Sequence, residues 1–204
     1  MSARPLSRWS ASFAIAVVLL LALASSAAAE QTIVFLRHGE KPSAGLGQIT
    51  CQGLNRALAL PSVLLQKFGT PSYLYAPNPA VKVSDPAGSF YYVRPLATIE
   101  PTAIRVGLSV NTGYGYNDIE GLRSVLIRSS KADQTLFVSW EHDYLVKVVQ
   151  SIMNLYGNGY QVPAWTYGDY DSLYVVRVNY GSTITARFQR DWEGLNNLPT
   201  SCPQ

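Results

Sequence analysis

Ile33-Val34-Phe35-Leu36 is an unbroken apolar run rich in β-formers, and it predicts a buried strand. A second run of the same kind at residues 135–140 predicts another, with short strands at 72–76, 173–178 and 183–188, the last two forming a terminal hairpin. Between them apolar residues recur at helical spacing. Leu54, Ala57, Leu58, Leu60, Leu64 and Leu65 form a stripe that follows Thr50, an N-cap residue type, and closes at Gly69. Pro61 inside it is expected to kink or divide that helix. Leu96, Ile99, Ala103 and Val106 predict a helix with Pro95 in its first turn and Pro101 as an interruption. Residues 118–129 and 144–156 carry two more stripes, the second stopped by Gly157-Asn158-Gly159. Residues 77–92, 110–117 and 160–171 read as loops, the first long enough to suggest a role of its own. Strands alternate with helices for most of the length. The class is therefore α/β, a three-layer αβα arrangement around a mainly parallel sheet.

The amino-terminal residues do not fit that pattern. Arg4 and Arg8 precede a 14-residue apolar stretch, Ala11 to Ala24, which is shorter than the ~20 residues of a membrane span. Small residues follow up to Ala29. Residues 1–29 read as a secretory signal peptide cut after Ala29, and residues 30–204 as one domain. Export places the domain outside the cell or in a periplasm. There, Cys51 and Cys202, the only two cysteines, are expected to pair and tie the C-terminal tail to the first helix. Closing so long a loop contributes roughly 4–5 kcal/mol on the chain-entropy model.

The 204 residues carry 16 Lys+Arg and 13 Asp+Glu. Setting aside Arg4 and Arg8 leaves the domain nearly neutral, with no basic block, so nucleic acid is not an expected partner. Nor is a membrane, beyond the leader. Two cysteines and two histidines without metal-ligand spacing give no zinc site.

The chemistry lies where strands end. The first strand runs into Arg37-His38-Gly39-Glu40, which alone reads as a basic turn. The strand at 135–140 runs into Glu141-His142-Asp143, and Arg94 opens a helix after the long loop. Carboxyl ends of parallel strands face one side of an open α/β sheet, so both histidines and both arginines are placed to meet there. Guanidinium forks bind phosphoryl oxygens in pairs, one imidazole can attack phosphorus, and another can stabilise equatorial charge. Plainer roles fit other residues: Glu40 and Lys41 as a solvated ion pair, Arg56 as a structural arginine, Tyr114 and Tyr116 as surface aromatics. Trp165, Tyr167 and Tyr170 read as packing.

Taken in order, Arg37-His38-Gly39-Glu40, Thr50-x-x-Gly53-x-x-Arg56-Ala57, Arg94 with Thr98, and Trp140-Glu141-His142 resemble the histidine phosphatase superfamily, with its phosphoglycerate-mutase-like fold. The likeness runs from about residue 32 to 142. Two departures are visible. The second arginine motif, usually Arg-x-x-Gln-Thr-Ala, here has Ala97 before Thr98, and the residues after Gly39 lack the hydroxyl and asparagine of cofactor-dependent mutases. The second departure favours a phosphatase over a mutase. The resemblance implies an exported phosphomonoesterase acting on a small phosphate ester, with His38 as nucleophile, Arg37, Arg94 and His142 holding charge, and no metal or organic cofactor. For the proton donor it leaves Asp143, Glu141 and the region of Asp118 and Glu120 open. A secreted phosphate-binding module that keeps the pocket but has little or no turnover is the alternative.

Overall fold

The computed structural model describes residues 29–204; the signal-peptide expectation for residues 1–29 falls almost wholly outside them. Six strands form one sheet in the order β5-β2-β6-β1-β7-β8: β1 Ala29–Arg37, β2 Tyr73–Tyr75, β5 Val110–Asn111, β6 Thr135–Trp140, β7 Ser172–Tyr180 and β8 Ile184–Trp192. The strands β5, β2, β6 and β1 run parallel, and the terminal hairpin β7–β8 adds antiparallel to β1. Four helices cover the sheet: α1 Cys51–Phe68, α2 Arg94–Val106, α3 Ile119–Leu126 and α4 His142–Asn154.

Alternation along β1 decides the layers. Ile33 and Phe35 point into a core shared with Leu122 and Leu126 of α3 and with Leu145, Val149 and Ile152 of α4. Val34 and Leu36 point the other way, against Leu60 and Leu64 of α1 and Ile99 of α2. Both faces of β1 are buried, which is why its sequence is a continuous apolar run. The α/β three-layer expectation holds.

Three local expectations change. Neither Pro61 nor Pro101 divides its helix; α1 and α2 run through them, and Pro61 is itself buried. The loop at 77–92 contains a hairpin, β3 Val83–Asp85 and β4 Gly88–Phe90. Helix α4 begins at His142 because Glu141 caps it, its Oε2 accepting from the amides of Asp143 and Tyr144. Thr50 caps α1 as expected, accepting from Gly53 N at 3.1 Å.

The disulfide Cys51–Cys202 joins the start of α1 to the C-terminal tail. Asn55 reinforces it, donating to the carbonyls of Pro199 and Ser201, both at 2.8 Å. Among the described residues no helix is long and apolar enough to cross a membrane.

Candidate active site

Register puts the first two functional segments side by side. Arg37 pairs with Trp140 in the parallel β1–β6 ladder, and His38 N donates to Trp140 O at 3.2 Å. His38 and Glu141 therefore leave the sheet at the same level, with His142 one residue on. Arg94 comes to them by another route. Gly39 N donates to Thr98 Oγ1 at 2.8 Å, and the Thr98 hydroxyl donates to Arg94 O at 2.9 Å. Thr98 thus ties the loop after β1 to the first turn of α2.

Glycines let that loop sit on α1. A Cβ on Gly39 would lie 2.9 Å from Gly53 Cα, and one on Gly53 would lie 2.7 Å from Glu40 O. The close approach Gly39 provides is to Gly53, another backbone.

His38 is only 2% exposed. Its Nδ1 lies 2.7 Å from Gly39 O, so the Nδ1–H donates there and leaves the Nε2 lone pair free. Burial holds the imidazole pKa well below its ordinary 6.5, and the charges of Arg94, Arg37 and His142 push the same way. The influence of all three on His38 is the mark of their convergence. Neutral imidazole with a free Nε2 is the nucleophilic form.

Both arginines are buried and held. Arg37 donates to the carbonyls of Tyr167 and Asp169 and to the Tyr170 hydroxyl at 3.4 Å, with its guanidinium 4.0 Å from the Tyr170 ring centroid. Arg94 is gripped by Asp85 of β3, Nη1 to Oδ2 at 2.7 Å and Nη2 to Oδ1 at 3.3 Å, and lies 4.7 Å from the Tyr92 ring centroid. Asp85 also accepts from Gly47 N, and these bonds hold its pKa below the usual carboxylate range against the opposing effect of burial. On the far side His142 Nδ1 lies 2.6 Å from Glu141 Oε1.

No protein-family model matches the chain, and no curated protein matches it in sequence. Solved structures do match it in shape. A mycobacterial glucosyl-3-phosphoglycerate phosphatase in complex with inorganic phosphate superposes with a TM-score of 0.54 at 14% identity, over 80% of this chain and 97% of that one. A candidate phosphohistidine phosphatase, SixA, from Nakamurella multipartitia gives 0.53 at 17% identity, over 80% and 96%. A protein named mycobacterial hydrolase 2 gives 0.54 at 12%, over 79% and 90%. The fold these structures share with the chain is the phosphoglycerate-mutase-like one expected from the sequence.

Within this fold the candidate carboxylates separate clearly. Glu141 is inside, and its contacts with His142 and two helix amides hold its pKa below the usual value despite burial. Its oxygens are occupied. Asp143 lies at the rim, its side chain 69% exposed, with Oδ1 3.7 Å from His142 Nε2. Asp118 caps α3, accepting from Gly121 N, and Glu120 pairs with Arg123. Glu141, His142 and Asp143 each bring a ligand atom within 4.8 Å of the others, the one such cluster found among the described residues.

Several residues read as packing turn out to border the site. Tyr167 and Tyr170 lie over Arg37, Tyr167 meets the His142 ring edge-on at 6.0 Å, and Tyr170 lies 6.3 Å from His38. Tyr116 is part of an edge-to-face chain with Tyr92 and Tyr144 rather than a surface aromatic. Trp165 does pack, 4.5 Å from Tyr174. Glu40 and Lys41 do not pair with each other: Glu40 binds Arg56 and Lys41 approaches Asp85 at 4.0 Å. Arg56 is structural, buried among Glu40, Glu193 and Asp171.

Proposed function

We propose that this protein is an exported phosphomonoesterase that hydrolyses a small phosphate ester through a phosphohistidine on His38. The observation that carries the reading is a buried, neutral imidazole with Nε2 free, set among two guanidinium groups and a second imidazole.

His38 Nε2 attacks phosphorus in line, forming an N–P bond as the bond from phosphorus to the ester oxygen breaks. Asp143 gives its proton to the leaving oxygen, so the alcohol departs neutral. Water then attacks the phosphohistidine, Asp143 takes its proton, and inorganic phosphate leaves with His38 neutral again. Arg37, Arg94 and His142 balance charge on the equatorial oxygens. Glu141 is an orienting group: its contact with Nδ1 fixes the His142 ring and directs Nε2 toward the phosphoryl group. Asp143 suits the donor role because its oxygens are not engaged as those of Glu141 are. No step needs a metal ion.

The leader-like segment and the disulfide support export. Of the structures similar in fold, one is named a glucosyl-3-phosphoglycerate phosphatase, and this supports a phosphate ester as substrate class.

A second reading, a phosphate-binding module without turnover, is favoured by one feature. Both arginines already have protein partners, Arg37 in the 167–170 segment and Arg94 in Asp85. Turnover of p-nitrophenyl phosphate in the presence of EDTA separates the two. The phosphatase reading expects metal-free hydrolysis that His38→Ala abolishes. Phosphate binding without hydrolysis would favour the module, and equal turnover by His38→Ala would remove His38 as nucleophile.

A further inference from the structure

Tyr92 stands two residues before Arg94, at the end of the long connection after β2, and the mechanism above does not use it. Its side chain is fully buried; its hydroxyl oxygen lies beside the Arg94 guanidinium, which can only donate to it, and its O–H proton has no acceptor among the described residues. A buried hydroxyl proton without an acceptor is destabilising, so packing alone does not account for a tyrosine where phenylalanine would fit.

The ring is fixed. Tyr92 N donates to Pro79 O at 3.0 Å, and the next two amides, Val93 N and Arg94 N, donate to Gly47 O at 3.1 and 3.0 Å. The ring meets His38 nearly perpendicular at 6.1 Å between centroids, meets Tyr116 edge-on at 5.4 Å, and lies under the Arg94 guanidinium. The charges of Arg94, Glu141 and Arg37 all bear on the hydroxyl. Burial raises the phenol pKa well above 10, so the group is a neutral O–H at any working pH. Among the described residues, Arg37 Nε and Arg94 Nε are also buried without partners. Three unpaired donors therefore belong to residues whose ring or charge acts on the His38 imidazole, and a phosphoryl group has three non-bridging oxygens that can accept.

We propose that Tyr92 is a substrate-contacting residue whose hydroxyl donates a hydrogen bond to a non-bridging phosphoryl oxygen beside His38. The proposal rests on the phosphatase reading and adds to it a neutral donor among the cationic ones.

Tyr92→Phe removes only the oxygen. The expected result is a fall of roughly 10- to 100-fold in kcat/KM for p-nitrophenyl phosphate, the scale of losing one preorganised donor or somewhat less. Inhibition by vanadate should weaken by about tenfold or more, while the melting temperature stays the same or rises because a buried hydroxyl proton without an acceptor is gone. Values of kcat/KM and vanadate inhibition within about twofold of wild type would overturn the proposal, since a lost hydrogen bond to a charged group should exceed that. So would an activity loss that merely follows a lowered melting temperature. If Tyr92→Phe is neutral while His38→Ala abolishes turnover, Tyr92 fails and the phosphatase reading stands. If wild type neither hydrolyses the ester nor binds vanadate, both fail.

Discussion

Asp85 holds Arg94 by both carboxylate oxygens, and each side chain of the pair is at least 97% buried. The aspartate comes from a hairpin inside what the sequence suggests is a loop, and it fixes the direction of the guanidinium that the proposed mechanism turns toward phosphate. Removing it strands a buried charge. Asp85→Ala is expected to destabilise the fold by about 3–5 kcal/mol, measured by urea unfolding, and to lower kcat/KM as Arg94 turns toward other acceptors. A change under about 1 kcal/mol, the scale of a solvent-exposed pair, would show that the pair is not effectively buried.

The contact between Gly39 and Gly53 makes a separate prediction. A methyl group on Gly53 meets both Glu40 N and Glu40 O within 3 Å, and backbone cannot move aside as a flexible side chain would. Gly53→Ala should cost about 1–3 kcal/mol of stability by overpacking. It should also displace His38, so kcat falls by more than the loss of folded protein explains. Full activity with unchanged stability would contradict the packing described for the loop after β1.

The assignment of Asp143 as proton donor is tested by leaving-group dependence. An aryl phosphate departs readily without a proton, whereas an alkyl phosphate needs one. Asp143→Asn should therefore slow alkyl phosphate hydrolysis by roughly 10²- to 10⁴-fold, the range for general acid catalysis, and p-nitrophenyl phosphate much less. In wild type the acid limb of kcat/KM should fall below pH 6.5, because burial and the surrounding positive charges hold His38 neutral beneath its ordinary pKa. Equal losses on both substrates would move the donor role away from Asp143.

Glu193 carries a pH dependence of stability. It is buried against Arg56, which Glu40 and Asp171 also share, and burial pushes its carboxyl up to about 8 from the usual 4.5. The folded state keeps this proton over an interval in which the unfolded chain has released it. Its contribution is thus fully present below pH 4.5 and is lost as pH rises through about 8, with a slope of at most ~1.4 kcal/mol per pH unit. Glu193→Gln keeps the protonated shape and should flatten the profile in urea titrations between those values. An unchanged slope in the variant would assign the proton to another group.

Much of this architecture is readable from sequence because it rests on local patterns. The apolar runs that become β1 and β6 fix which residues leave the sheet together, and Arg37, His38 and His142 follow directly. Thr50 and Gly69 mark the ends of α1 by cap chemistry alone. What the sequence hides is held by contacts without a period. Asp85 lies in a short hairpin among prolines and glycines. Tyr167 and Tyr170 lie in an irregular stretch that crosses Arg37 some 130 residues later in the chain. Arg56 and Glu193 are 137 residues apart, and nothing local to either announces the other. The helix-dividing role expected of Pro61 and Pro101 fails for the converse reason, since tertiary packing overrides local propensity.

The central claim is a covalent intermediate on His38, and chemical trapping tests it most directly. Rapid acid-free denaturation during turnover of a phosphorus-labelled ester should give a labelled protein whose label is stable to alkali, released by acid, and located by peptide mapping to the segment containing His38. The His38→Ala variant should carry none. Label on another residue, or turnover with no labelled protein on any sampled timescale, would contradict the phosphohistidine mechanism.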